Sequence, residues 1–222
     1  MSYASVRATL STAFAVVAAT HAVALDIKEV ESSDDQTVTI LLSGEVVAGD
    51  SLKVRSFVGK LAGAKPMTAQ LAFGGGLRFE ALSIGRFLHQ ARIRTVIPAK
   101  GRCISPCPLV LVGGRHPDPR QVPYMKYSSA LLGFSSVAPN FQDKAYKVSD
   151  LDRTVANIQR DILQVADYLT DVGANISMLK YYQSALKPKQ VLYITNEQAL
   201  DLGIAIVFEQ TGELITPLKQ QR

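Results

Sequence analysis

Short apolar runs alternate with longer segments of helical spacing along most of the chain. A short run rich in β-branched residues is typical of a buried strand, whereas apolar positions three and four residues apart indicate one face of a helix. The first pattern predicts strands over residues 36–45, 68–73, 93–98, 124–134, 191–194, 204–208 and 214–216. The second predicts helices over residues 50–62, 77–91, 151–172 and 176–186. This alternation predicts an α/β domain.

The longest predicted helix, residues 151–172, has a continuous apolar face. Its members are Val155, Ile158, Ile162, Val165, Ala166 and Leu169. Further along the chain, Thr195 is followed three residues later by Gln198, which is the spacing of a capping box. That pair predicts a short helix ending at Gly203.

The N-terminus has the three parts of a secretory signal. Arg7 is the only charged residue among the first 24, an apolar run covers residues 9–19, and Ala22-Val23-Ala24 supplies a small-x-small cleavage site. The run is shorter than the roughly 20 apolar residues of a membrane-spanning helix. We therefore predict a signal peptide over residues 1–24 and a single mature domain over residues 25–222. A buried N-terminal helix is the alternative.

The net charge and its distribution along the chain limit the classes of partner that we expect. The chain has 222 residues and a formal net charge of +5, from 24 Lys and Arg against 19 Asp and Glu. The basic residues are scattered among acidic ones, with no basic block interleaved with aromatic residues, so nucleic acid is not an expected partner. No apolar run of the mature chain is long enough to span a membrane.

The two cysteines, Cys103 and Cys107, lie four residues apart. An exported protein meets an oxidising compartment, which favours a disulfide between them. Two buried thiols are one alternative, and a metal site is another. Two thiols alone do not fill a tetrahedral shell, and the mature histidines, His89 and His116, lack metal-ligand spacing to them. We therefore expect neither a metal nor a cofactor.

Two turns are candidates for chemistry. A Gly74-Gly75-Gly76 turn between a predicted strand and a predicted helix would expose backbone N–H groups at a positive helix end, where an oxyanion or phosphate could bind. A tight turn that needs positive φ explains the same glycines. The spacing is not that of a dinucleotide-binding loop, and no P-loop lysine follows. The second turn, Cys103-x-Ser105-x-Cys107, carries a serine between the cysteines.

The order of these segments resembles the ClpP/crotonase-like superfamily. The similarity runs from the strand–GGG–helix segment through Cys103-x-Ser105-x-Cys107 and Gly113-Gly114 to the stretch after Tyr193, and it covers about residues 37–208. In particular, the chain is similar to the exported, predicted periplasmic bacterial branch related to the proteolytic subunit of the Clp protease. The resemblance implies stacked β-β-α units with a long outer helix, and localisation to the periplasm of a Gram-negative cell.

The resemblance also assigns roles to individual residues. It places Ser105 at the nucleophile position and Gly75 or Gly76 at the first oxyanion donor. The family's general-base histidine falls on Ser135, in Leu132-Gly133-Phe134-Ser135. No acid occupies the position of the orienting aspartate, near Val191 or Leu192. The second oxyanion N–H falls on Pro106, which has none.

These departures predict a degraded serine-peptidase site in a protein that acts by binding or as a structural subunit. Extended peptides or proteins are the expected partners, and members of the family commonly form homo-oligomers. The alternative is an active serine hydrolase in which Ser105 uses a base foreign to the family. The candidate bases are His89, His116, Lys126, Lys144 and Lys147.

Overall fold

The computed structural model describes residues 24–32, 36–61, 63, 65–135, 145–184 and 190–217. The predicted signal peptide lies outside the described residues except for Ala24, which bridges to Glu45. The described strands are β1 Asp26–Val30, β2 Val38–Val46, β3 Met67–Gly76, β4 Arg94–Ile97, β5 Arg102–Ile104, β6 Tyr124–Tyr127, β7 Leu131–Ser135, β8 Val191–Tyr193, β9 Ala205–Val207 and β10 Leu214–Ile215. The described helices are α1 Asp50–Leu61, α2 Arg78–Gln90, α3 Cys107–Val112, α4 Val148–Asp171, α5 Met178–Ser184 and α6 Asn196–Asp201. This mixed architecture confirms the predicted α/β class.

The strands form one curled, mixed sheet that forks at β3. On one side β3 pairs with β2, which in turn pairs with β1. On the other side, the first half of β3 pairs with β4, and Gly74 near its end pairs with Ile104 of β5. One branch continues β4-β6-β9-β10 and the other β5-β7-β8. Within the described residues, the antiparallel pairs are β1-β2, β7-β8 and β9-β10, and the other pairs are parallel.

The residues of the hydrophobic core lie at the positions that the strand and helix periodicities direct to one face. Alternate residues of β3 are buried, as expected for a strand with a core face on one side: Met67, Ala69, Leu71 and Phe73. All six residues of α3 are buried, because this short helix lies against α2 and the strands around it. A fully buried apolar run of this length has no polar face that would distinguish a helix from a strand by periodicity.

Within the described residues, the buried side chains of α4 all lie in its C-terminal part. There Val165, Tyr168 and Leu169 are buried, and the Tyr168 hydroxyl donates to the Leu109 carbonyl at 2.6 Å. Ion pairs from α2 support the same helix, Arg78 to Asp161 at 2.9 Å and Arg86 to Asp171 at 3.1 Å. Large apolar side chains nearer its N-terminus are exposed: Val148, Leu151, Val155 and Leu163. The predicted apolar face is therefore only partly covered.

Two segments differ from the sequence-based predictions, and two elements, β1 and α3, were not predicted. Gly74–Gly76 is not a turn but the end of β3, since Gly76 pairs with Val46 of β2. The predicted strand over residues 124–134 is two strands, β6 and β7, which join different branches. Strand β1 was not predicted because its sequence, DIKEV, is mostly polar. The apolar run after Cys107 is helix α3.

The predicted capping box is present: Gln198 N–H donates to Thr195 Oγ1 at 3.2 Å, and Thr195 N–H donates to Gln198 Oε1 at 2.9 Å. Among the described helices, none combines the length and the apolar character needed to cross a membrane.

Candidate functional site

Ser105 lies at the carboxyl end of β5, and its main chain is bonded to both neighbouring strands. Its N–H donates to the Gly133 carbonyl of β7 at 3.1 Å. Its carbonyl accepts the Gly75 N–H of β3 at 2.9 Å. The Gly75 amide, a candidate oxyanion donor from the sequence, is therefore satisfied within the sheet. Gly76 follows it with a φ of +101° and pairs with β2.

The Ser105 side chain contacts Ser135, the residue that the resemblance places at the base position. Ser105 Oγ accepts the main-chain N–H of Ser135 at 3.1 Å. Ser105 and Ser135, the two positions that the resemblance relates, are therefore in contact. The donor, however, is the backbone N–H of Ser135 and not its side chain. A backbone N–H cannot accept a proton from the serine hydroxyl, and a serine hydroxyl at position 135 is a weak base near neutral pH.

The phenol of Tyr182 in α5 also lies near Ser105. Burial raises the pKa of the Tyr182 phenol, and the nearby Ser105 hydroxyl opposes this only in part, so the phenol stays protonated. The two hydroxyls do not reach hydrogen-bond geometry, and the buried Tyr182 oxygen has no partner among the described residues. The Tyr182 ring packs edge-on against Phe134 at 5.0 Å between ring centroids. Sequence reasoning missed Tyr182, because nothing in the sequence of α5 connects it with a serine about 80 positions earlier.

The turn after Ser105 is closed by a disulfide between Cys103 and Cys107, as predicted. Their Cα atoms are 5.2 Å apart, and both residues are fully buried. Pro106 precedes α3 and Pro108 is near its start, so two of the N–H groups expected there are missing. Leu109 N–H is also occupied, since it donates to the Pro106 carbonyl at 3.0 Å. The turn therefore offers few donors for a developing oxyanion.

The candidate lysine bases do not contact Ser105 in the described residues. Lys126 Nζ donates to Asn196 Oδ1 at 2.5 Å and lies 3.5 Å from the Ser128 carbonyl. Lys147 precedes α4 and is exposed, and Lys144 lies outside the described residues. Lys126 is unusual for another reason, since it is only 1% exposed. Burial lowers the pKa of its ammonium to about 8, although Glu209 opposes this effect.

The two histidines lie at the opposite end of the sheet from Ser105. His89 is at the end of α2, before β4, and His116 is in the loop before β6. Strands β4 and β5 both run parallel to β3, and β6 runs parallel to β4. Residues before β4 and β6 therefore lie at the amino ends of the strands, whereas Ser105 follows the carboxyl end of β5. Both histidines line a separate cavity.

The described part of the chain contains no group of three or more His, Cys, Asp or Glu side chains that could hold a metal ion. Compared with protein-family models and with curated proteins, the chain matches none of them.

Proposed function

We propose that the mature chain is an exported protein of the ClpP/crotonase-like superfamily whose Ser105 site has lost hydrolysis and whose role is binding or assembly. The single observation that carries this proposal is the environment of the Ser105 hydroxyl. The Ser135 N–H donates to this hydroxyl, and the protonated phenol of Tyr182 lies near it. Neither can accept the hydroxyl proton.

The rate enhancements that a base and an oxyanion donor usually contribute favour an inactive site. General-base assistance typically contributes ~10²–10⁴ in rate, and one oxyanion donor contributes another ~10²–10³. Among the described residues, no base is hydrogen-bonded to the Ser105 hydroxyl. Pro106 has no N–H, and the Gly75 N–H is already bonded to the Ser105 carbonyl. A serine without these groups is a weak nucleophile.

The order of the elements supports the superfamily. After α2 the chain runs β4-β5-α3 and then β6-β7-α4. In each of these β-β-α units the first strand joins the β4 branch of the sheet and the second joins the β5 branch. Repeated units that stack in this way are what the resemblance implies.

The buried disulfide supports export, because such bonds persist in oxidising compartments such as the bacterial periplasm. An extended peptide remains our proposed partner, but the glycine segment does not offer it an edge. Gly75 and Gly76 are bonded to β5 and β2 on their two sides. Strand β8 pairs only with β7 in the described part of the chain, so it is the edge of the branch that carries Ser105, and a strand could be added there.

Self-assembly is the second part of the proposal, and α4 supports it. Apolar residues repeat along this helix with alternating spacings of three and four: Val148, Leu151, Val155, Ile158, Ile162, Val165 and Leu169. This is the spacing of a coiled-coil seam. The domain covers the C-terminal end of the seam, and Val148 and Val155 remain 72% and 52% exposed. A second copy has a matching seam.

Labelling of the disulfide-bonded mature protein with a fluorophosphonate tests the loss of hydrolysis. We expect no labelling above that of Ser105→Ala, and no turnover of a panel of ester and peptide substrates. Ser129→Ala, which removes an exposed serine elsewhere, is the matched control. Strong labelling that disappears in Ser105→Ala and persists in Ser129→Ala would establish the active-hydrolase alternative and would direct attention to a lysine base.

A further inference from the structure

A cavity of about 410 Å³ lies at the amino ends of β4 and β6, at the opposite end of the sheet from Ser105. Residues near the ends of α2, α3 and α4 line it together with the proline-rich loop before β6. Its volume is within the range of small-molecule sites in proteins, about 300–1,000 Å³. The proposed function does not use this cavity.

The cavity is lined by positive and neutral side chains. Arg92 and Arg115 are exposed, and no Asp or Glu is among the lining residues. The two acids that are near in sequence are already bonded elsewhere: Asp118 to Arg120 at 3.0 Å and Asp171 to Arg86 at 3.1 Å. Within the described residues, neither guanidinium of the cavity has an ion-pair partner.

The two arginines are not needed to neutralise the C-terminal ends of the neighbouring helices. A helix C-terminus carries roughly half a negative charge and attracts cations. However, the last carbonyls of α2 are already capped by main-chain donors, with Ile93 N–H on Leu88 and Arg92 N–H on His89. The last turn of α4 is capped similarly, with Ala174 N–H on Leu169. The arginine side chains are therefore not needed to satisfy these helix ends.

Arg92 also has an unusual backbone. Its φ is +54°, in the left-handed region where glycine is the common residue after a helix. A non-glycine residue there carries a conformational cost. Glycine would adopt this backbone conformation more easily. The arginine that occupies the position instead places a guanidinium at the cavity.

His89 and His116 add imidazole side chains to the lining of the cavity. The Asp118 N–H lies 3.0 Å from His116 Nδ1, and a main-chain N–H can only donate. The Asp118 carbonyl oxygen lies 3.2 Å from the same Nδ1 atom, so the main chain of Asp118 holds the His116 ring in place. Burial, and then the charge of Arg115, lower the pKa of His89. His89 is neutral at neutral pH, so the arginines supply the charge.

We propose that this cavity binds a small organic anion. The guanidiniums of Arg92 and Arg115, which line the same cavity, suit a carboxylate or phosphate head group, because arginine bonds such groups with two parallel N–H donors. The remaining lining is largely apolar and would contact the body of the ligand: Pro117, Pro119, Pro123, Tyr124 and Val172.

Titration calorimetry on the disulfide-bonded mature protein tests the proposal with four probes: phenyl phosphate, benzoate, inorganic phosphate and benzyl alcohol. We expect phenyl phosphate or benzoate to bind, and whichever binds more tightly identifies the head group. Inorganic phosphate lacks the apolar body and should bind more weakly, and neutral benzyl alcohol should not bind. Binding should weaken as salt is raised, because exposed charges are screened.

The double variant Arg92→Gln/Arg115→Gln should weaken binding of the preferred probe at least tenfold. Arg153→Gln removes the same charge from the exposed surface of α4 and should leave binding unchanged. If the double variant does not fold, Arg115→Gln alone is measured, together with amide chemical shifts of His116 and Tyr124 on titration of the wild-type protein. Absence of binding by every anion, or equal binding by wild type and the arginine variants, overturns the proposal.

Discussion

Gly76 ends β3 in a conformation that only glycine adopts easily. Its φ is +101°, and a Cβ atom there would lie 2.1 Å from the carbonyl oxygen of Val46. Both the backbone strain and the clash with a neighbouring strand oppose any side chain. We predict that Gly76→Ala lowers the free energy of unfolding by at least about 3 kcal/mol. Urea denaturation followed by circular dichroism measures the change.

Gly49 provides the matched control for this prediction. Its φ is +90°, but a Cβ atom there would meet nothing within 4 Å. Gly49→Ala carries only the conformational cost of positive φ, about 1–2 kcal/mol. Equal losses in the two variants would contradict the close approach of Gly76 to Val46.

Lys126 makes stability depend on pH in the alkaline range. Burial lowers the pKa of its ammonium from 10.5 to about 8 in the folded state. Between pH 8 and 10.5 the unfolded chain therefore holds a proton that the folded chain has lost, so stability rises with pH. We predict that the wild type gains roughly 2–3 kcal/mol across this window relative to Lys126→Met. Urea denaturation at a series of pH values measures both proteins.

The control for this prediction is Lys60→Met, which removes an exposed lysine of α1 and should keep the pH dependence of the wild type. Tyrosines and other lysines that titrate in the same range contribute equally to wild type and variants, so the difference isolates Lys126. Parallel curves for the wild type and Lys126→Met would show that the buried ammonium keeps an ordinary pKa.

At the scale of elements, sequence patterns predicted where most helices and strands lie, but not how the strands pair. The long amphipathic α4, the alternation of β3 and the capping box at Thr195 depend on local spacing that the sequence displays. The separation of residues 124–134 into β6 and β7 depends on pairing with β4 and β5, about 30 residues earlier. Local periodicity contains no information about such partners.

The glycine segment shows why a site is harder to predict than an element. Three glycines suit a turn and the end of a strand equally, because glycine adopts positive φ in both. Only the structure shows that the Gly75 N–H is directed at the Ser105 carbonyl. The relation between Ser105 and Ser135 came from the resemblance. The arginine cavity could not be predicted, because it forms where separate helix ends and a loop pack together.

At the scale of the whole molecule, the forked sheet separates two regions. The carboxyl end of β5 carries the Ser105 turn, held by strands β3 and β7 and by the disulfide. The amino ends of β4 and β6 border the arginine cavity. Helix α4 extends beyond the packed part of the domain with apolar residues exposed. A protein that exposes such a seam to solvent is expected to bury it against a partner.

We predict that two copies associate through the exposed seam of α4. A charge placed in an apolar seam must be desolvated on association, so Val155→Asp should weaken self-association by at least about tenfold. Sedimentation velocity at micromolar concentration measures the distribution of species. Asn157→Asp adds the same charge outside the apolar seam and should associate as the wild type does. In the described residues, the seam is the only extended apolar surface that this helix exposes. A wild type that is monomeric throughout would therefore contradict a role for α4 in association. So would a Val155→Asp variant that associates as well as the wild type.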